Sequence, residues 1–188
     1  MKKRVFLLLL LAQTTLLFSQ TDSISEGRAA VYFTRSSGLG GLVNFTYFDG
    51  KKVIGKFNGS KYMKYECEPG KHLFWARSEN KSFVEAELLG GKTYIIDVIP
   101  TLGGLKASVI LTPVDKNNYK LKPIQKLLEK KDAEIFEKDE LDALQLEMAD
   151  VIVRGFEKYN ELKEKGKNIP ILLPSMTVEA SDLIYVKK

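Results

Sequence analysis

The sequence predicts a mainly β protein with a helical tail. An antiparallel β-sandwich of about seven to eight short strands fills residues 28–114, two α-helices lie within 119–166, and an extended tail covers 167–188. Three observations carry this. Before residue 115, runs rich in β-branched and aromatic residues recur at roughly 8–12-residue intervals, the spacing of sandwich strands. The pairs Asp49-Gly50, Asn58-Gly59, Pro69-Gly70 and Gly90-Gly91 punctuate them as turns. After residue 118 the apolar period changes to three and four residues, that of an amphipathic helix.

Arg28 to Arg35 is the first strand, with Ala29, Val31 and Phe33 in one phase. Ser36 to Gly41 is a flexible loop. Its Gly-x-Gly-Gly run lacks the helix that a phosphate-binding loop opens into; the strand-like Leu42 to Phe48 follows instead. Val53 to Phe57, Lys61 to Cys67 and His72 to Ser78 come next, then Ser82 to Leu88, the nearly continuous apolar Thr93 to Ile99, and Lys106 to Val114. No helical period interrupts this series, which argues against a doubly wound sheet.

Ile124, Leu127, Leu128, Ile135 and Phe136 suit a first helix starting near Lys122-Pro123. The second is predicted from about Asp139 to Lys165. Leu141, Leu144, Met148, Val151, Ile152, Phe156, Tyr159 and Leu162 form its stripe, Asp139 and Glu140 sit at its positive end, and Gly166 marks its stop. This stripe either packs on the sandwich or presents Met148, Ile152, Phe156 and Tyr159 to a partner protein. Pro170 and Pro174 bias the tail toward extended structure lying along the body or adding an edge strand.

Met1 to Ser19 places three basic residues before a leucine-rich run and then polar and small residues, the layout of a secretory signal peptide. Gln13, Thr14 and Thr15 interrupt the run, which makes an uncleaved anchor the weaker reading. No cysteine follows the run directly, so an N-terminal lipid anchor is not expected. The expected location is the periplasm, cell envelope or exterior. Loss of Lys2, Lys3 and Arg4 removes most of the net charge of +5, so the basic pI is no argument for nucleic acid.

Little in the chain carries chemistry. Cys67 is the only cysteine and His72 the only histidine, so neither a disulfide nor a metal site is expected, and no cofactor. Cys67 shares the apolar phase of Met63 and Tyr65, which points to burial rather than nucleophilicity. Asp97 lies inside an apolar strand in phase with Ile95 and Ile99, where a buried, perturbed carboxylate and a solvent-facing one are both open.

The strings Asp49-Gly50, Ile54-Gly55, Asn58-Gly59-Ser60, Tyr62, Pro69-Gly70, His72 and Gly91-Lys92-Thr93-Tyr94, with the opening strand Ala30 to Arg35, resemble the bacterial family known as domain of unknown function 2846. They are similar too to PEGA-type envelope modules. The resemblance covers about residues 28–114 and implies an immunoglobulin-like or transthyretin-like sandwich in an envelope protein without established activity. Two function classes follow. One is a non-catalytic envelope module binding a protein or glycan partner. The other is a small-ligand carrier or hydrolase using a cleft between sheet and helices around His72, Tyr62 and Asp97.

Overall fold

The computed structural model describes residues 24–103 and 106–186. The segment 1–19, read from sequence as a signal peptide, lies outside the described residues. Eight strands follow in the predicted order: β1 (Ala29–Thr34), β2 (Phe45–Asp49), β3 (Lys52–Phe57), β4 (Tyr62–Cys67), β5 (Gly70–Arg77), β6 (Lys81–Leu88), β7 (Thr93–Gly103) and β8 (Lys106–Pro113). Helices α1 (Lys122–Lys130), α2 (Lys138–Glu147) and α3 (Ala149–Glu164) come next, and the two-residue strand β9 (Ile171–Leu172) precedes a short 3-10 turn, Ala180–Leu183. The strands form a four-stranded sheet, β4-β1-β7-β8, and a five-stranded sheet, β3-β2-β5-β6-β9.

Both sheets are mixed, which corrects the expectation of purely antiparallel pairing. β1 runs parallel to β7, and β6 runs parallel to β9. Neither pair is joined by a hairpin, so direction is set by long crossovers rather than by tight turns. Gly50, at φ +55°, turns the β2–β3 hairpin as read from Asp-Gly, and Gly59, at φ +70°, turns the chain from β3 in one sheet to β4 in the other.

Alternation along the strands sorts side chains into three apolar layers. Val31, Phe33, Tyr47, Phe74, Tyr94 and Ile96 fill the layer between the sheets, together with Cys67. Outside the five-stranded sheet, Phe48, Trp75 and Phe83 pack against Leu144, Met148, Val151 and Ile152 of α2 and α3. Outside the four-stranded sheet, Tyr32 and Ile95 pack against Ile124 of α1 and Val178 of the tail. Helices therefore cover both outer faces. The stripe offered to a partner is used internally: Met148 and Ile152 are buried on the sheet, Phe156 packs beside them, and Tyr159 tilts against Phe83 at 5.7 Å.

Among the described residues the α-helices number three rather than two. Met148 leaves helical geometry at φ −92°, ψ 3° and divides the second predicted helix into α2 and α3. The first ends at Lys130 instead of reaching Phe136, because the following segment is drawn to the sheet edge. There the Glu134 N–H donates to the Tyr62 carbonyl, and Phe136 lies over Gly55, where a Cβ would come within 2.7 Å of its ring.

Sheet edges are closed by side chains. Asn80 donates to the Val109 carbonyl and accepts from the Val109 N–H, both at 2.8 Å, Ser78 donates to the Ala107 carbonyl and Ser82 accepts from the Leu111 N–H. The turn between β5 and β6 thus imitates a neighbouring strand along β8 and stitches the two sheets together. On β3, Gln145 of α2 accepts from the Val53 N–H and donates to the Lys51 carbonyl. Asn80→Ala should cost about 1–2 kcal/mol, two hydrogen bonds at a half-exposed edge. Urea denaturation, with faster amide exchange at Val109, checks this.

The tail is a strap. β9 adds to the five-stranded sheet, the Tyr94 hydroxyl donates to the Pro174 carbonyl, Val178 bridges Thr93 of the four-stranded sheet, and the terminal turn meets α1. The sandwich is thus not confined to 28–114: residues 171–172 supply one of its strands.

Candidate functional site

Three places hold polar groups that could do chemistry, and the residues singled out from sequence do not converge on one of them. His72 lies on the five-stranded sheet. Tyr62 and Asp97 lie on the four-stranded sheet, each paired in register with Thr34 from opposite sides.

His72 shares its phase on β5 with Phe74 and Ala76, so its ring turns inward at one end of the sandwich and stacks on Phe74 at 5.2 Å, nearly parallel. Asp49, read from sequence only as a turn residue, faces it from β2. Nδ1 lies 2.9 Å from both Asp49 carboxylate oxygens, and Nε2 lies 2.9 Å from the Glu68 carbonyl. All of these are acceptors, so both ring nitrogens carry protons and the group is an imidazolium. The hydrogen bond to Asp49 leads in raising the His72 pKa to about 10. The Tyr65 hydroxyl also donates to Asp49, at 3.1 Å, and burial pushes its pKa upward. An imidazolium with both protons engaged cannot accept one from a nucleophile. Cys67 lies nearby, 3% exposed.

A groove of about 480 Å³ runs between the five-stranded sheet and the end of α3, lined by Lys71, His72, Leu73, Glu85, Ala86, Glu87, Tyr159 and Ile171. It is the cleft between sheet and helix expected near His72, but strand alternation directs Lys71 and Leu73 to it and turns the His72 ring to the opposite face. Its central carboxylate, Glu85, is engaged by the Tyr159 hydroxyl at 2.7 Å and by Lys163 at 2.8 Å, and these contacts hold its pKa down.

A third place is a cleft of about 360 Å³ beside the start of α1, lined by Ser36, Asp97, Asn118, Tyr119, Lys120, Pro123 and Ile124. Asp97 is 6% exposed, which settles the alternative left open by its phase: the segment leading into α1 covers that face. Its carboxylate accepts from the Tyr119 hydroxyl at 2.6 Å and from the Thr34 hydroxyl at 3.2 Å. Burial raises the carboxyl pKa, and the two hydroxyls oppose that rise. Tyr62 stacks on Tyr32 at 6.1 Å, outside this cleft. Tyr119→Phe removes one of the two hydroxyl donors, so the Asp97 pKa should rise further and stability fall by about 1–3 kcal/mol. A carboxyl-carbon NMR titration with thermal melts checks both.

The glycine loop gains its shape from a residue not singled out from sequence. Arg35 is fully buried beneath it and donates to the carbonyls of Leu39, Gly40 and Val43 at 2.7–3.0 Å while stacking on Phe45 at 4.1 Å. The strand predicted from Leu42 therefore starts at Phe45. Leu42, at the loop surface, is 93% exposed.

Neither a family model nor a curated protein matches the chain. Among the described residues no group of three metal-ligating side chains exists, and no helix is long and apolar enough to cross a membrane. Asp49, Thr34, Tyr119 and Arg35 escaped the sequence reading because their importance lies in cross-strand register and burial, neither of which local pattern encodes.

Proposed function

We propose that this chain is an exported, non-catalytic envelope module that binds a protein or glycan partner through loops of its sandwich. The observation carrying this is the state of His72: both ring nitrogens are bonded to acceptors, so the chain's one histidine is a structural cation rather than a base. The basic and leucine-rich start of the sequence supports export. The resemblance of its turn motifs to those of the domain of unknown function 2846 family supports the envelope assignment.

The strand order favours the transthyretin-like over the immunoglobulin-like form. An immunoglobulin sandwich places its first, second, fourth and fifth strands in one sheet, whereas here the first pairs with the fourth and seventh.

With the helical stripe covered, the loops remain as the binding face. Residues 36–43 are held by Arg35 in one conformation and display Leu39 and Leu42, and Ser60 of the neighbouring turn donates to the Ser36 carbonyl. A loop organised before binding loses little entropy when a partner arrives. A photo-crosslinking side chain at Leu42 should trap a defined partner in the native envelope, and one at Val153, exposed on the far side of α3, should not. Equal labelling from both positions, or none from Leu42, would sink the loop assignment. Ester or glycoside hydrolysis abolished by His72→Gln in a folded chain would sink the non-catalytic assignment.

A further inference from the structure

A cluster of cations gathers where the end of the β5–β6 hairpin meets α3. Arg77 and Lys81 are directly opposite each other across the antiparallel pair, and both point to the outer face that α3 covers. Strand register therefore sets two like charges side by side, an arrangement that destabilises an isolated sheet. The next pair inward is Trp75 and Phe83, the aromatic floor on which α3 rests. From α3, Arg154 and Lys158 occupy positions four apart on one helix face, and both lie close enough to Lys81 to repel its charge.

Compensation is sparse. Lys158 pairs with Glu161 at 2.9 Å, and Glu157 is the acid that offsets Lys81. Among the described residues no ion pair engages Arg77, Lys81 or Arg154. Arg77 and Arg154 are exposed, and Lys81 is partly buried between them. Burial, and then the neighbouring cations, push the Lys81 pKa down, so the ammonium is held where its charge is disfavoured.

We propose that Arg77, Lys81 and Arg154 form a binding site for a phosphate group. Arg77 and Lys81 are register partners and Arg154 acts on Lys81 from α3, so the three cations form one basic patch. Each phosphate of a polymer or lipid surface offers two charged terminal oxygens, and neighbouring phosphates supply the rest needed to match all three. Guanidinium groups recognise phosphate through paired N–H donors, and Lys81 supplies a point charge at the centre. The bound anion relieves the repulsion stored in the free protein, so binding and folding reinforce each other. The phosphate comes either from an anionic lipid headgroup or from a soluble phosphate polymer. This site shares no residue with the sandwich loops, so it stands or falls separately from the partner-binding function.

The test is titration of the full mature chain at low salt with inorganic polyphosphate and, separately, with phosphatidylglycerol vesicles. Each of Arg77→Gln, Lys81→Gln and Arg154→Gln should weaken binding about tenfold. Lys131→Gln removes the same charge from the exposed end of α1 and should leave affinity unchanged within about twofold. Binding to vesicles alone assigns the lipid headgroup, and binding to polyphosphate alone assigns the soluble polymer; either supports the site if the three variants lose it. Absence of binding to both probes, or equal losses in Lys131→Gln, overturns it. So does equal affinity for polyglutamate of matched charge. Since Lys81→Gln removes a repelled charge, it should melt no lower than the parent chain, which separates lost binding from lost folding.

Discussion

Gly155→Ala should lower stability by about 1–3 kcal/mol, although alanine is the better helix former by about 1 kcal/mol. Gly155 sits in the middle of α3, directly over the indole of Trp75. A Cβ there would come within 2.7 Å of Cη2, 2.9 Å of Cζ2 and 3.1 Å of Cζ3. The indole cannot retreat, because its other face stacks on Phe48 with ring centroids 3.7 Å apart, and its Nε1–H donates to the Gly50 carbonyl at 2.8 Å. The helix must lift instead, opening the layer of Met148, Val151 and Ile152. Trp75→Phe removes the ring atoms that the new methyl would strike. In that background Gly155→Ala should be neutral or mildly stabilising, because only the helix-propensity gain remains. A double-mutant cycle by urea denaturation measures the difference. Additive effects would mean that the close approach is relieved elsewhere.

The second large effect is a loss of stability in mildly alkaline solution. His72 has an ordinary pKa of 6.5 in the unfolded chain and about 10 in the fold, raised chiefly by the hydrogen bond to Asp49. The folded state therefore holds the proton more tightly. The stabilisation is fully present below pH 6.5 and is lost as pH rises from there through 10. The pair is partly open to solvent, so we set its contribution at about 2–3 kcal/mol, the range of a charge-assisted hydrogen bond rather than the full value implied by the shift. Urea midpoints should fall steadily across that interval in the parent chain and remain flat in His72→Gln. Nitrogen NMR of the imidazole should show both protons retained at pH 8. A deprotonated ring at that pH would reopen a role for His72 as a base.

The sequence made the strands legible because turn chemistry and alternation are local. Asp49-Gly50, Asn58-Gly59 and Pro69-Gly70 fall where chains reverse, and Phe45, Tyr47 and Phe74 alternate into the core as their phase requires. The stripe of α3 was equally plain, and its covered state follows from the aromatic face formed by Phe48, Trp75 and Phe83 on the opposing sheet. What pattern could not supply is adjacency. The parallel register that sets Thr34 beside Asp97 depends on a crossover, and the pairing of Asp49 with His72 depends on which strands meet. The end of α1 and the break at Met148 are tertiary decisions as well, since Phe136 is drawn over Gly55 and Met148 into the layer beneath α3.

The strap formed by residues 171–178 has a consequence for when the fold locks. Its β9 segment completes one sheet and Val178 ties the other, so neither sheet has its final partner until residues 171–178 are in place. Pairings so distant in sequence form late, after local hairpins. A chain that emerges from its N-terminus would thus stay short of its full stability until residues 171–178 have followed the strands they pair with.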